Sequence, residues 1–339
     1  MKIVRGTKNI SGPFLYPVVT LGNFDGVHVG HQILFKKAAE IAREKQGTSV
    51  AFTFEPHPLK IIAPDKVPPL LTHFHKKMEL IAACKIDCLI CADFTRQFAD
   101  QRPRDFSKNI LKEKIGVKEV VVGFDYAFGR GREGTIPYLK KMGEEFGFIV
   151  HVVNPFQLDG MTVSSSHVRD VIESGNMESA RKFLGRHYSI AGPVVAGYKT
   201  GQAIGFPTAN IDTSKVQIPR TGVYAVRMIY QKKSYDAVAN IGFNPTFNRD
   251  RLSVEVHIFD FKQAIYGKEI EVEFISRIRS EIAFKSKEEL VDQIKKDIAK
   301  AQIILEDHMI EFSKLTEDLI SSNILKKFVI HLKVTLELG

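Results

Sequence analysis

The sequence predicts an α/β protein of two domains: a parallel sheet covered by helices on both faces, then an antiparallel barrel or sandwich closed by a C-terminal helix. Three observations predict it. The chain has 339 residues, more than a single core of about 250–300 residues holds. Its first half alternates short continuous apolar runs with helix-period segments, the pattern of strands buried on both faces. After about residue 185, apolar–polar alternation broken by glycine and proline takes over.

The elements follow in order. Val18 to Leu21 reads as a short buried strand, Gln32 to Arg43 as a helix and Ser49 to Phe54 as the next strand. Lys76 to Ala83 reads as helix, Cys88 to Ala92 as strand, and Phe106 to Lys114 as helix. Glu119 to Gly123, with its Val120-Val121-Val122 run, is a buried strand; a helix from Pro137 to Phe146 and a strand from Ile149 to Val153 complete the alternation. Ser164 to Gly185 carries two short helix patterns, Val168 to Glu173 and Met177 to Leu184, and reads as a boundary region. Strands at Val223 to Ile229, Tyr235 to Asn240, Leu252 to Phe259 and Glu269 to Phe274 build the second domain. Ser286-Lys287-Glu288-Glu289 has the form of a capping box, and Leu290, Ile294, Ile298 and Leu305 make one apolar stripe on the helix that follows. The domain limits read as 1–185, 186–309 and a 310–339 extension, in which Ile330, Leu332, Val334, Leu336 and Leu338 alternate with polar residues as in a strand.

Composition narrows the class of partner. With 44% hydrophobic and 26% charged residues the chain is ordinary globular protein. A net charge of +9 favours anions, whether nucleic acid, membrane or phosphorylated small molecules. The lysines and arginines are spread along the chain rather than gathered in a basic arm. Three cysteines, Cys84, Cys88 and Cys91, argue against a disulfide framework and fit a reducing cytoplasm. Cys88 and Cys91 lie in a buried-strand pattern, without a second metal-ligand pair. No apolar run has signal-peptide or membrane-span character, so a soluble cytoplasmic protein is expected.

The first informative stretch is Gly22-Asn23-Phe24-Asp25-Gly26-Val27-His28-Val29-Gly30-His31. It follows a buried strand and opens a helix, where a parallel sheet puts its ligand. Glycines let the backbone approach phosphates, and the helix N-terminus favours negative charge. His28 and His31 can donate to phosphate oxygens as charge builds on them. Three more segments join it: Phe54-Glu55-Pro56-His57-Pro58, Gly123-Phe124-Asp125-Tyr126-Ala127-Phe128-Gly129 and Val163-Ser164-Ser165-Ser166-His167-Val168-Arg169. The serines also fit a helix cap, and both readings can hold together.

These segments resemble the nucleotidyltransferase superfamily, and in the longer form its FAD synthetase branch. The resemblance implies a Rossmann-like domain that adenylylates FMN with ATP. It implies catalytic roles for His28 and His31, and ATP or phosphate contacts for Gly22, Phe24, Gly30, Ser164, Ser165, Ser166 and Arg169. It implies flavin contacts for Asn23, Asp25, Pro56, His57, Pro58 and Asp125. Ser166 stands where the family usually has threonine.

The second informative stretch is Gly205-Phe206-Pro207-Thr208-Ala209-Asn210. With Gly222-Val223-Tyr224, Asn240-Ile241-Gly242, Pro245-Thr246-Phe247, Glu255-Val256-His257, Tyr266-Gly267 and Arg277-Ile278-Arg279-Ser280-Glu281, in that order, it resembles riboflavin kinases. The two resemblances together span roughly residues 15–306 and resemble the bifunctional riboflavin kinase/FAD synthetase family. They imply an antiparallel barrel that phosphorylates riboflavin with ATP and Mg²⁺. Thr208 and Asn210 offer oxygens to the metal, Gly205 and Thr208 approach phosphate, Arg279 touches the flavin, and Glu255 takes the hydroxyl proton. Gln202 stands where an arginine is usual.

Two other readings stay open on sequence. One is a nucleotidyltransferase for another small phosphate whose barrel binds flavin without catalysis. The other is a basic RNA-binding protein, which needs exposed aromatics among cations; Phe206, Tyr224 and Phe247 fall in the enzyme-like motifs instead. The expected partners are small-molecule substrates, with no nucleic acid or membrane, and self-association is left open.

Overall fold

The computed structural model describes residues 1–196, 201, 204–213, 216–243 and 252–321, with side chains to residue 310. The chain forms two compact units. One holds Met1–Ser174, Ser179–Arg186 and Ser214–Ile218; the other holds Gly175–Glu178, His187–Thr213 and Pro219–Gly339.

The first unit is built on β1 (Lys2–Arg5), β2 (Pro17–Leu21), β3 (Thr48–Glu55), β4 (Cys88–Asp93), β5 (Glu119–Gly123) and β6 (Ile149–Val153). They form one sheet in the order β1-β4-β3-β2-β5-β6, every neighbouring pair parallel. β2 has β3 on one side and β5 on the other, so its carboxyl end is the switch point where such sheets bind ligands. Successive strand residues serve opposite faces. Val18, Ala51, Leu89 and Val121 enter a core with Phe35 of α1 (Val29–Glu44) and Ile81 of α2 (Phe74–Ala83). Val19, Phe52, Ile90 and Val120 enter the other, with Leu111 of α3 (Phe106–Ile115) and Leu139 of α4 (Ile136–Phe146). α3 has the wider π-type turn rather than the expected α-type. A two-strand hairpin, β7 (Gln157–Leu158) and β8 (Met161–Thr162), precedes α5 (Ser165–Glu173) and α6 (Met177–Leu184). Cys88 and Cys91 are free thiols inside β4.

The second unit is a closed barrel rather than a sandwich. Its strands are β9 (Tyr188–Val195), β10 (Ala209–Ile211), β11 (Gly222–Tyr230), β12 (Lys233–Phe243), β13 (Leu252–Ile258) and β14 (Glu269–Arg279), in the order β10-β13-β12-β11-β14-β9. Antiparallel pairing of β10 with β9 closes it. One row of side chains, including Tyr224, Val226, Ile241, Val254, Val256 and Phe274, is almost wholly buried. The alternate row, with Val223, Ala225, Val238, Ile275 and Ile278, packs on Ala301 and Leu305 of α7 (Lys287–Ser321). Ser286 caps α7 by accepting from the Glu289 amide at 3.2 Å, and Glu289 accepts from the Lys285 amide at 2.9 Å. The reciprocal bonds of a capping box are therefore present, with the carboxylate reaching one residue further back than usual. α7 runs on to Ser321, so residues 310–321 of the expected extension are helical. The alternating stretch from Ile330 to Leu338 lies outside the described residues.

Candidate active sites

The turn after β2 is shaped by close contacts. A side chain on Gly22 would meet the Phe24 ring at 2.6 Å, and one on Gly30 would meet the His28 ring at 3.1 Å. Phe24 takes left-handed backbone angles (φ 55°, ψ 31°) and is buried against Phe35. It meets His31 edge-on, 5.3 Å between ring centres. His28 caps α1, its Nδ1 accepting from the His31 amide at 3.3 Å, and the two rings stack 3.6 Å apart. Burial and the Arg186 guanidinium lower the His28 pKa to about 4. Burial, with help from His28 and Lys77, holds His31 well below the ordinary imidazole range. Both rings are neutral near pH 7. The Nδ1 of His31 and the Oδ1 of Asn23 are buried and have no hydrogen-bond partner among the described residues, polar atoms that a ligand can satisfy.

Arg169 of α5 ties this turn together. Its guanidinium bonds the Asp25 carboxylate, the Pro69 carbonyl at 2.8 Å and the Ser165 carbonyl at 3.2 Å. Asp25 also accepts from the amides of Leu71 and Thr72. Ser165 Oγ donates to the Asp25 carbonyl at 3.0 Å, Ser164 caps α5 by accepting from the His167 amide, and Ser166 is exposed. Two further residues absent from the sequence-level list brace the same backbone. Gln32 Nε2 donates to Val27 and Leu184 carbonyls, and Arg186 donates to those of Gly26, Val27 and Leu184.

A cavity of about 160 Å³ lies beside the turn, lined among others by Asp25, Glu55, His57, Lys60, Thr72 and Lys77. Pro56 and Pro58 flank His57, whose Nδ1 accepts from the Leu59 amide at 3.2 Å. Burial lowers the His57 pKa, with Asp25 opposing. Lys77, also absent from the sequence-level list, is 6% exposed. Asp125 is exposed just beyond β5, next to an exposed Phe124.

In the barrel, a cavity of about 260 Å³ is lined by Thr208, Asn240, Glu255, His257, Arg279 and, from α7, Ile294 and Asp297. Register explains the grouping. Glu255 is directly opposite Asn210 on β10 and Asn240 on β12, so the three share one face. Thr208 Oγ1 is 3.4 Å from Glu255 Oε2. Burial raises the Glu255 pKa, and the Thr208 hydroxyl partly opposes it. Phe206 meets His257 edge-on, and His257 Nδ1 is 2.9 Å from the Pro207 carbonyl. Gly205 has φ 90° in an open turn ahead of them. Arg279 is held by Asp297 through three bonds of 2.7–3.0 Å and lies over Phe284. Gln202 and the Pro245-Thr246-Phe247 segment lie outside the described residues.

A parallel sheet with two histidines at its switch point, joined in one chain to a closed barrel whose cavity holds a carboxylate among hydroxyl and amide groups, defines a two-site transferase. Residues 16–167 match the family model for FAD synthetase, and residues 184–305 match that for riboflavin kinase. The bifunctional riboflavin kinase/FMN adenylyltransferase of Escherichia coli K12 is 39% identical over 299 residues, 88% of this chain and 96% of that one. Its counterpart from Buchnera aphidicola of Acyrthosiphon pisum is 38% identical over 305 residues, 89% and 97% of the two chains. The chain belongs to the bifunctional riboflavin kinase/FMN adenylyltransferase family. A crystal structure of a macrolide-efflux protein from Streptococcus pneumoniae is also similar, with TM-score 0.80 and 34% identity over 89% of this chain and 99% of that one. Among the described residues here, no helix is long and apolar enough to cross a membrane.

Proposed function

We infer that this chain makes FAD in two steps, phosphorylating riboflavin to FMN and adenylylating FMN to FAD, each with ATP. What carries the reading is that the two family matches fall on different parts of the chain, each with its own cavity and reactive groups. Residues 1–185 serve adenylylation, 186–309 serve the kinase, and 310–339 extend beyond them.

In the kinase step Glu255 accepts the proton of the ribityl hydroxyl as its oxygen attacks the γ-phosphorus of ATP and ADP leaves. Its raised pKa supports this, because a desolvated carboxylate is a stronger base. Bound in this site, Mg²⁺ would neutralise charge on the phosphates. The Thr208 hydroxyl and the Asn210 amide oxygen, grouped with Glu255, form an all-oxygen set suited to a hard cation. Arg279, fixed by Asp297, bounds the flavin end.

In the second step a phosphate oxygen of FMN bonds to the α-phosphorus of ATP. The bond from that phosphorus to the pyrophosphate oxygen breaks, and the electron pair leaves with pyrophosphate. The nucleophile is already an anion, so no strong base is needed. His28 and His31 donate as neutral imidazoles to the α-phosphate, with the α1 N-terminus behind them. Gly22 and Gly30 allow the close approach. Arg169, Ser165 and Ser164 shape the pyrophosphate side, and Asn23, Asp25, the Pro56-His57-Pro58 loop and Asp125 bound the FMN side. Three free thiols support a cytoplasmic setting. The substrates are small molecules, and no nucleic acid is needed.

Chromatography of products from riboflavin, ATP and Mg²⁺ tests the reading. FMN followed by FAD is expected. Neither product, from folded protein, overturns it in favour of another small phosphate as the acceptor.

A further inference from the structure

Lys77 is buried in a way that its protein contacts leave uncompensated. Its ammonium donates to the Asn23 carbonyl at 3.1 Å, an oxygen that already accepts from Thr53 Oγ1 at 3.0 Å. The Phe74 ring centre is 5.8 Å away. Among the described residues Lys77 forms no ion pair. The Asp25 carboxylate in the same cavity is bound by Arg169 and two backbone amides. An ammonium withdrawn from water without a counter-ion is unfavourable, and it becomes favourable only when an anion arrives. It carries three N–H groups, one of them used.

The surroundings select the anion. Lys77 lines the cavity with His57, Lys60 and Thr72, which offer donors, and with the carboxylates of Asp25 and Glu55, of which Asp25 is already bound by Arg169. It bonds Asn23 of the His-containing turn and lines the cavity with His57 of the loop after β3, and its charge helps lower the pKa of both His31 and His57. Its own pKa is lowered by burial, which outweighs the raising effect of Asp25 and Glu55, so the two carboxylates do not make up for the lost solvation. The polyphosphate side is already furnished by His28, His31 and the α1 N-terminus. The other anion of the reaction is the nucleophile.

We propose that Lys77 receives the phosphate group of FMN and holds its attacking oxygen toward His31, with Lys60 and Thr72 completing the seat. This rests on the adenylyltransferase reading above.

Steady-state FMN adenylylation by the full chain tests it, comparing Lys77→Met and Lys77→Arg with the parent. In Lys77→Met the KM for FMN is expected to rise about 10- to 100-fold, the loss of one charge-assisted hydrogen bond. The KM for ATP stays within about twofold, and Lys77→Arg recovers most of the FMN affinity. Riboflavin phosphorylation in the same preparation, together with an unchanged melting temperature, shows that the chain is intact. An unchanged KM for FMN, or a rise confined to the KM for ATP, overturns the assignment. Should Lys77→Met fail to fold, inorganic sulfate on the parental enzyme decides: competition against FMN is expected, and competition against ATP alone overturns it. A parental chain that makes no FAD sinks the underlying reading instead, so the two failures are distinct.

Discussion

His28 and Glu255 show burial acting in opposite directions on two groups that need it. Burial keeps His28 neutral, with a pKa near 4 against about 6.5 in the unfolded chain. The unfolded state therefore binds a proton that the folded state refuses. Stability from this group is intact above pH 6.5 and is lost as pH falls toward 4, by up to about 3 kcal/mol. Thermal melts of the ligand-free protein across that window are expected to fall more steeply for the parent than for His28→Gln; parallel curves would show that His28 is not held neutral. Glu255 is raised instead, which strengthens it as a base. Glu255→Gln keeps the shape and removes the proton acceptor. FMN formation is expected to drop about 10²–10⁴-fold, while FAD formation from supplied FMN continues. An unchanged kinase rate would make Glu255 a bystander on its strand.

At the scale of elements, the turn between β2 and α1 is the part whose chemistry the sequence states most openly, because glycine spacing and paired histidines are unusual in any other role. His31→Ala removes one donor to the developing charge, and about 10²–10³-fold loss of FAD synthesis is expected, with riboflavin phosphorylation intact and FMN accumulating. FAD made at the parental rate by folded His31→Ala would remove the turn from the reaction. Other elements were legible only in part, for physical reasons. β2 to β6 read clearly because each is dominated by apolar residues. β1 is a four-residue edge strand with two cations, and β10 has three residues, too few to show a period. β9 alternates well, but Gly192 and Pro193 inside it are residue types that weaken a strand signal. The π-type winding of α3 leaves no mark in its apolar spacing. Lys77, next to Lys76 on a short helix, reads as a solvated residue. Only the tertiary fold, which carries Asn23 and the cavity to it, reveals its burial. Arg279 and Arg169 were visible as cations, but their fixed partners Asp297 and Asp25 are distant in sequence.

For the whole molecule, the separation of the two chemistries is the remaining consequence. The groups assigned to adenylylation belong to the unit containing the sheet, and those assigned to phosphorylation belong to the unit containing the barrel. The barrel closes on itself through β9 and β10, so it has no open edge that needs another strand. Its outer row is covered by its own helix α7 through Ala301 and Leu305. The second unit also includes Gly175–Glu178, ahead of the limit at residue 186, and α7 continues to Ser321, beyond residue 309. A fragment from Gly175 to Ser321 preserves both ends. It is expected to phosphorylate riboflavin within about tenfold of the full chain, since it keeps the donors, base and metal oxygens assigned to that reaction, and to make no FAD from FMN. Circular dichroism and cooperative melting establish that it folds, and product chromatography with riboflavin, ATP and Mg²⁺ reads its activity. A folded fragment without kinase activity would mean that the phosphoryl-transfer site draws a group from the first unit, and the assignment of Glu255, Thr208 and Asn210 as a self-sufficient set would fall with it.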